Sequence, residues 1–251
     1  MFDPILSVLA TFGKYFLQVI ICIPCAIIAI SVRNYAQGLV AYLMGDKSIF
    51  ESKRFSFNPL RHMDPIGFLC LTLFRFGWAN PVPFDRRKFK NPKLGTFLVI
   101  MAGTLVNFIV GFIFTFILCI LAYQLPSPQL YSKVFLEIPG SILGAFGEQA
   151  GNFVYQLLVN TVQSACMLNL TLMVFNFIPL PPLDGFKLLS LIIPRYSSKA
   201  VARYERYFSL FFLVILFIDM YFTGYINNLF GTAVNFFLES WFQPLINLII
   251  L

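Results

Sequence analysis

The residues that could take part in chemistry are few, and they stand in largely apolar surroundings. The chain has 251 residues and a single histidine, His62. Asp184 lies in the run Pro181-Pro182-Leu183-Asp184-Gly185. Arg33 and Gln37 are four residues apart, so an α-helix places both side chains on one face. Polar groups are costly inside a membrane, so their positions carry functional information. The candidate cleft residues are Arg33, Asn34, Gln37, Asn107, Asn169, Asn176 and Asp184.

These residue types allow more than one role. A carboxylate such as Asp184 can bind a metal or cap the helix that follows it. Side-chain amides commonly join neighbouring membrane helices through hydrogen bonds. For Asn107 taken alone, the helix–helix hydrogen bond is the better interpretation. For the whole set, convergence on one cleft is the stronger hypothesis.

The cysteines offer a second candidate for chemistry. Cys22 and Cys25 form a CxxC pair beside Pro24, and all five cysteines lie inside apolar segments. A CxxC pair in a soluble βαβ unit indicates redox chemistry. Here the spacing falls within a predicted membrane helix, where cysteine usually serves as a small buried apolar residue. We therefore interpret these thiols as structural, with a redox or metal role as the less favoured alternative.

Long apolar runs must position these residues. The chain is 59% hydrophobic and 12% charged, against about a quarter charged in soluble domains. A membrane-spanning helix needs about 20 apolar residues. We predict an all-α polytopic membrane protein with four to six transmembrane helices. Four of these helices are clearly indicated. The last apolar run, 226–251, either spans the membrane or lies along its interface. The apolar runs are Phe16–Val32, 94–132, 149–183, 207–223 and 226–251. Because the first run has a poor basic flank and continues into Arg33–Gly45, we interpret it as a helix and not as a cleaved signal peptide.

The net charge of +7 is unevenly distributed along the chain. Lysine and arginine concentrate in the loops 45–93 and 179–206, whereas the loop 124–150 holds only Lys133. Short loops rich in these residues stay in the cytoplasm. We predict a multi-pass protein of the cell (plasma) membrane with both basic loops cytoplasmic and in contact with anionic lipid. The same distribution argues against a nucleic-acid partner.

The segment between the first two runs has an unusual pattern. Apolar and polar residues alternate in Phe55-Ser56-Phe57, as they do in a short β-strand. Ile66–Phe76 is apolar but too short to span the membrane. The next segment, Gly77–Pro83, leads the chain back to the side from which it entered, and its two prolines prevent a helix. We predict a small re-entrant element that contains β structure. Because non-helical backbone at membrane depth must be covered by protein or a water-filled cavity, this element should line a cleft.

Several blocks of the sequence resemble the bacterial site-2-protease (M50) family and occur in the family's order. Together they cover about residues 15–210, so we treat 1–251 as a single membrane domain with a C-terminal apolar helix at about 226–251. Ordered blocks are far more specific than one motif. The blocks are Ala41–Asp46, Phe57–Gly67, Gly77–Pro83, Ala102–Asn107 and Phe175–Gly185.

The resemblance implies an intramembrane zinc protease whose metal site is degenerate. The family carries an HExxH motif, with two zinc-binding histidines and a glutamate as general base, and a later aspartate as third ligand. Asp184 matches the aspartate. The HExxH positions fall on Arg33-Asn34-Tyr35-Ala36-Gln37, where both histidines and the glutamate are missing. His62 stands in a block whose family counterpart is not a ligand.

The loss of these residues has a direct chemical consequence. Catalytic zinc needs about three ligands from His, Cys or carboxylate, and an open position for water. Arginine cannot bind zinc because it keeps its proton, and the amides of Asn34 and Gln37 supply no base. We therefore expect no zinc cofactor and no proteolysis. Asp184 is the only remaining ligand position if any metal binds.

Arg33 offers a replacement for the missing metal charge. It stands on the helix face that should oppose Asp184, and an arginine–carboxylate pair would satisfy a buried Asp184. The alternative is that Arg33 extends to the membrane interface and never meets Asp184. We predict the pair.

The expected function is that of a catalytically inactive site-2-protease-like protein of a bacterial membrane, a pseudoprotease. It would bind a membrane protein or transmembrane helix in the former substrate cleft, with the Phe55–Phe57 edge able to add a strand to an unwound client. One alternative is an active intramembrane metalloprotease with non-standard ligands, such as Asp184 with Cys22, Cys25 or Cys166. Another is a transporter or channel that uses the polar cleft.

Overall fold

The computed structural model describes residues 3–51, 64–65, 67–69, 82–123, 153–180 and 183–192, together with isolated positions between 211 and 244. The predicted strand at Phe55–Phe57 lies outside the described residues. The same holds for residues 77–81, which belong to the predicted re-entrant element. His62 and, apart from isolated positions, the predicted spans at 207–223 and 226–251 also lie outside them.

The described residues are mostly helical, and no strand occurs among them. The helices named here are α1 (Asp3–Leu43), α2 (Ser48–Glu51), α3 (Pro92–Tyr123), α4 (Phe153–Asn176) and α5 (Asp184–Ile192), with a 3-10 turn at Arg86–Lys88 between α2 and α3.

Three of these helices are long and apolar enough to cross a membrane. The candidate spans are Phe16–Leu43, Pro92–Leu121 and Leu157–Asn176. They match the first three predicted runs, so the prediction of a helical membrane protein is confirmed in this coarser form. On α3, Leu105, Ile109 and Phe116 are about half exposed on the outer surface of the bundle, as expected for side chains that contact lipid.

The three spanning helices alternate in direction. Cys25 of α1 contacts Thr161 of α4, and Arg33 contacts Asn176 further along, so α1 and α4 run parallel. α3 runs antiparallel to α4, because Thr115 pairs with Cys166 and Tyr155 donates to Leu121. The carboxyl ends of α1 and α4 therefore lie on the same side of the bundle as the amino end of α3.

Two glycines allow α3 to approach its neighbours closely. A Cβ atom at Gly103 would lie 2.6 Å from Nε2 of Gln37 on α1. A Cβ atom at Gly111 would lie 2.8 Å from Cδ2 of Leu170 on α4. Small residues at such positions are typical of tight helix contacts in membranes. Asn107 lies between the two glycines, on the same face of α3.

A buried carboxylate, Asp46, fastens the end of α1 to the segment that leads into α3. Gly45 ends the helix with a φ of 120°, a conformation that glycine adopts without steric cost. One oxygen of Asp46 accepts a hydrogen bond from the backbone N–H of Ser48 (3.2 Å), and the other accepts from that of Asp85 (2.7 Å). The ammonium of Lys88 lies 3.7 Å from the carboxylate. The loop chain is thereby fixed against the end of α1.

We expect Asp46→Asn to lower the free energy of unfolding by about 1–3 kcal/mol. Burial alone would raise the pKa of Asp46, but the N–H of Asp85 and the hydroxyl and N–H of Ser48 outweigh it, so the pKa lies below its ordinary value. The carboxylate therefore contributes fully above the ordinary pKa, and this contribution is lost as pH falls through the depressed pKa of the folded state. Thermal unfolding in detergent at neutral and acid pH measures both effects.

Asp85→Asn is the matched control, because the side chain of Asp85 is exposed and caps only the 3-10 turn. Its melting temperature should stay close to that of the wild type. Equal melting temperatures for Asp46→Asn and the wild type would contradict the anchoring role.

Candidate functional site

The candidate site is centred on the carboxylate of Asp184, at the first residue of α5. Oδ2 accepts hydrogen bonds from Nη2 of Arg33 and from Nε2 of Gln37, the latter at 2.7 Å. Oδ1 accepts one from the ammonium of Lys187 at 2.8 Å. Three donors on two helices thus converge on one carboxylate. The ion pair predicted between Arg33 and Asp184 is present in the structure.

Helical periodicity explains why the donors converge. Arg33 and Gln37 are one turn apart on α1 and share a face, and Lys187 lies one turn after Asp184 on α5. The chain between α4 and α5 reverses direction through a tight turn in which the N–H of Leu183 bonds the carbonyl of Leu180 at 2.9 Å. This reversal brings Asp184 back against α1.

Gly185 makes this reversal sterically feasible. A Cβ atom at this position would lie 2.4 Å from the carbonyl oxygen of Phe177 and 2.3 Å from that of Ile178. Both contacts are with backbone, which cannot turn aside as a flexible side chain can. The placement of Asp184 therefore depends on a glycine as the next residue.

We expect Gly185→Ala to destabilise the protein by about 1–3 kcal/mol, the usual cost of forcing extra volume into a packed site. Gly13→Ala is the control, because a Cβ atom at Gly13 meets nothing within 4 Å and alanine favours helix over glycine. Thermal unfolding in detergent should show a clear loss for the first variant and none for the second. An unchanged melting temperature for Gly185→Ala would show that the turn can relax without loss.

Asn176 connects the site to α4. Its Oδ1 accepts a hydrogen bond from Nη2 of Arg33 at 2.9 Å, and its amide nitrogen donates to the carbonyl of Leu172 in its own helix at 2.6 Å. The amide thus holds the guanidinium between α1 and α4. This contact is a helix–helix hydrogen bond of the kind expected for membrane amides.

The ion pair of Arg33 with Asp184 is buried. Arg33 is 7% exposed and Asp184 4% exposed. Burial alone would raise the pKa of Asp184, but the charges of Arg33 and Lys187 and the hydrogen bonds from Lys187 and Gln37 outweigh it, so the pKa lies below the usual range. Asp184 is ionised at neutral pH. Two cations, Arg33 and Lys187, contact this carboxylate.

The remaining candidate residues, Asn34, Asn107 and Asn169, are also buried. Asn169 donates to the carbonyl of Ala165 in its own helix at 2.8 Å. Asn107 is fully buried, and neither polar atom of its side chain has a hydrogen-bond partner among the described residues. Asn34 is also buried. The structure therefore brings together Arg33, Gln37, Asn176 and Asp184, and no hydrogen bond found in the described ranges joins Asn107 or Asn169 to them.

Sequence reasoning does not single out two residues that shape the site. In the sequence analysis, Lys187 is recognised only as part of a basic loop. Its position three residues after Asp184 on a helix is nevertheless a signal for an ion pair. Gly103 is recognised only as part of the block Ala102–Asn107, yet it provides the space for the side chain of Gln37. No pattern within α3 alone shows which side chain fills that space.

The cysteines that the structure describes lie in the packed interior. Cys22 and Cys25 belong to the apolar contact between α1 and α4, and the thiol of Cys25 donates to the carbonyl of Thr161 at 3.5 Å. Cys166 pairs with the hydroxyl of Thr115 at 2.9 Å. None of the hydrogen bonds of Asp184 given above involves a thiol, and this arrangement agrees with the interpretation of structural thiols.

Three apolar membrane-crossing helices with a buried carboxylate held at one end define a polytopic membrane protein with a polar internal site. The chain belongs to Peptidase family M50, whose family model matches residues 82–218, more than half of its length. A similar protein is the "Putative zinc metalloprotease YwhC" of Bacillus subtilis (strain 168). The two are 32% identical over 190 residues, which cover 75% of this chain and 76% of the relative. No solved structure matches the chain. The predicted family is thus confirmed.

The residues around Asp184 do not fit the zinc ion that this family implies. The side chains that hydrogen-bond this carboxylate are all donors, and two of them, Arg33 and Lys187, are cations. Zinc in such a site needs about three deprotonated His, Cys or carboxylate ligands. In the part of the chain that the structure describes, no three His, Cys, Asp or Glu side chains stand close enough to share a metal ion.

Proposed function

We propose that this chain is a catalytically inactive member of the M50 family that binds a membrane-protein client and does not cleave it. One observation carries the proposal. Asp184 matches the family's metal-binding aspartate, and both of its oxygens accept hydrogen bonds from side chains that cannot bind zinc as they stand, Arg33, Gln37 and Lys187.

Electrostatics supports inactivity. A zinc ion beside Asp184 would meet the fixed charge of Arg33 and the ammonium of Lys187, and like charges repel strongly where water is scarce. Moving the guanidinium aside would also remove a hydrogen bond from Asn176. At the position of the family's general base stands Asn34, whose amide cannot take a proton at neutral pH.

The family relationship supports client binding. The resemblance implies a cleft that holds membrane-protein substrates, and a cleft without cleavage chemistry can still bind its occupant. The directions of the helices agree with a shared cytoplasmic side for the loops 45–93 and 179–206, because α1 and α4 run parallel. We propose the cell membrane as the location and lipid as a second partner.

We expect far less than one zinc ion per chain in protein purified in detergent without a histidine tag. Mass spectrometry of metal and protein in the same sample gives the ratio. Asp184→Asn is the control, and its zinc content should not differ from that of the wild type. One tightly held zinc in the wild type, lost in Asp184→Asn, would contradict the proposal and indicate an active site built from other ligands.

A further inference from the structure

A cluster of exposed cations precedes α3. Arg87, Lys90 and Lys93, the basic cluster, are all exposed, and none of the three forms an ion pair within the segments that the structure describes. Lys88 stands between them in the chain, but its ammonium already lies 3.7 Å from Asp46. The exposed carboxylate of Asp85 accepts a hydrogen bond from the backbone N–H of Arg87. The three cations of the basic cluster are thus available for an anion from outside the chain.

Buried contacts fix the backbone that carries the basic cluster. The ring of Phe89 is buried in the same apolar cluster as Ala41 of α1. Gly95 leaves room for this ring, since a Cβ atom at Gly95 would lie 2.4 Å from its Cδ2. The backbone N–H of Lys90 donates to the carbonyl of Met44 at 3.3 Å. The segment is therefore held against the first turn of α3, and its cations stay close to one another.

The apolar surface of α3 indicates where the membrane begins. Leu94, Phe97 and Leu98 follow Lys93 directly and are 37% to 49% exposed. They lie in the first turns of the candidate span Pro92–Leu121, so they face hydrocarbon. Charged groups are costly in hydrocarbon, and cations at the ends of spanning helices lie at the interface instead. The basic cluster is therefore at the level of the phospholipid headgroups.

Phosphate is the anion that this level of the membrane supplies. A guanidinium such as that of Arg87 can bind phosphate through two N–H groups, and ammonium groups bind it as point charges. A zwitterionic headgroup also brings a cation of its own, which the basic cluster would repel. An anionic phospholipid brings the phosphate without that cation.

We propose that Arg87, Lys90 and Lys93 form a binding site for the headgroup of an anionic phospholipid. Soluble phosphate offers the same anion, but the exposed apolar side chains of Leu94 and Phe97 beside the site favour a ligand that has acyl chains. This inference rests on the proposed role of lipid as a partner, and it adds the class of lipid and the place where it binds. It does not depend on client binding or on the absence of zinc.

Two labelled lipids test the inference with the full chain in neutral detergent. Phosphatidylglycerol is anionic and phosphatidylcholine is zwitterionic, and both carry the same fluorophore at the end of an acyl chain. Fluorescence anisotropy gives the two dissociation constants. We expect phosphatidylglycerol to bind about tenfold or more tightly, since each lysine or arginine near an anionic surface strengthens association about fivefold. The preference should weaken as salt is added, because exposed charges are screened.

Equal binding of the two lipids would overturn the site and leave the expected zinc content untouched. Inorganic phosphate, compared with chloride at equal ionic strength, should not displace the labelled phosphatidylglycerol. Displacement by phosphate would show a site for the free anion and would overturn the assignment to lipid.

Two charge-matched variants locate the preference. Arg87→Gln/Lys90→Gln/Lys93→Gln should lose most of it. Lys199→Gln/Arg203→Gln/Arg206→Gln removes the same charge from the other basic loop, at positions outside the described residues, and should keep it. Melting temperatures close to that of the wild type confirm that both variants are folded. A preference that persists in the first variant, or that falls equally in both, would overturn a defined site at the start of α3.

Discussion

Replacing Arg33 by methionine should lower the free energy of unfolding by about 3–5 kcal/mol, the usual cost of breaking a buried ion pair. Methionine is shorter but has a similar volume, so the change removes the charge more than the volume. It would leave Asp184 without its buried cation and the Oδ1 of Asn176 without the donor that it now has. Unfolding in mixed micelles by increasing SDS measures the loss.

Lys187→Met is the matched control, because Lys187 donates to the same carboxylate. Its side chain is 23% exposed against 8% for Arg33, and ion pairs within reach of water contribute only about 0–1 kcal/mol. Similar small losses in both variants would show that water also solvates Arg33, as the alternative of an interfacial arginine requires.

A charge exchange tests the direct pairing of the two residues. The double variant Arg33→Asp/Asp184→Arg should recover part of the stability that each single variant loses, because the attraction is restored with opposite signs. Recovery should be incomplete, since Lys187 would then lie one turn from a second cation. No recovery at all would count against a direct contact.

The triple variant Arg33→His/Asn34→Glu/Gln37→His should bind about one zinc ion per chain, which is the largest gain that we expect from any substitution. Arg33 and Gln37 both reach Oδ2 of Asp184, so histidines at these positions would point toward a common point beside that carboxylate. Three ligands would then be in place, and the Asn34→Glu substitution would supply a carboxylate where the family has its base. Mass spectrometry of the metal content measures the gain.

Two controls separate this gain from non-specific binding by histidine. The triple variant with Asp184→Asn should lose the zinc, because the third ligand is gone. Tyr35→His/Leu39→His places the same histidine spacing on another face of α1, away from Asp184, and should bind no more zinc than the wild type. If the triple variant folds but resembles this second control, the three positions do not converge as the structure shows.

The spanning helices could be predicted well from the sequence because hydropathy over about 20 residues depends little on neighbours. The end of α1 near Gly45 was also predicted, but its start was not. The apolar run begins at Phe16, whereas the helix begins at Asp3, because charged residues such as Lys14 interrupt an apolar run without interrupting a helix. The prediction of four to six spans and of a re-entrant β element remains a prediction.

Within the site, the pair of Arg33 with Asp184 was predictable because two motif positions face each other in the family that the sequence resembles. The contribution of Asn176 as a bridge to Arg33, and the space that Gly103 gives to Gln37, depend on how separate helices pack. Such tertiary contacts leave little trace in the order of residues along one helix. That no hydrogen bond in the described ranges joins Asn107 to these residues was unpredictable for the same reason.

The two glycines of α3 have a mechanical consequence. Gly103 and Gly111 are separated by eight residues, or about 12 Å along the axis, and each receives a side chain from a different helix. Sliding α3 by one residue or turning it about its axis would drive a larger side chain, such as that of Thr104, into Gln37. α3 is therefore locked against both sliding and rotation. If the chain binds a client as proposed, the opening that admits it comes from displacement of the other helices while α3 stays fixed.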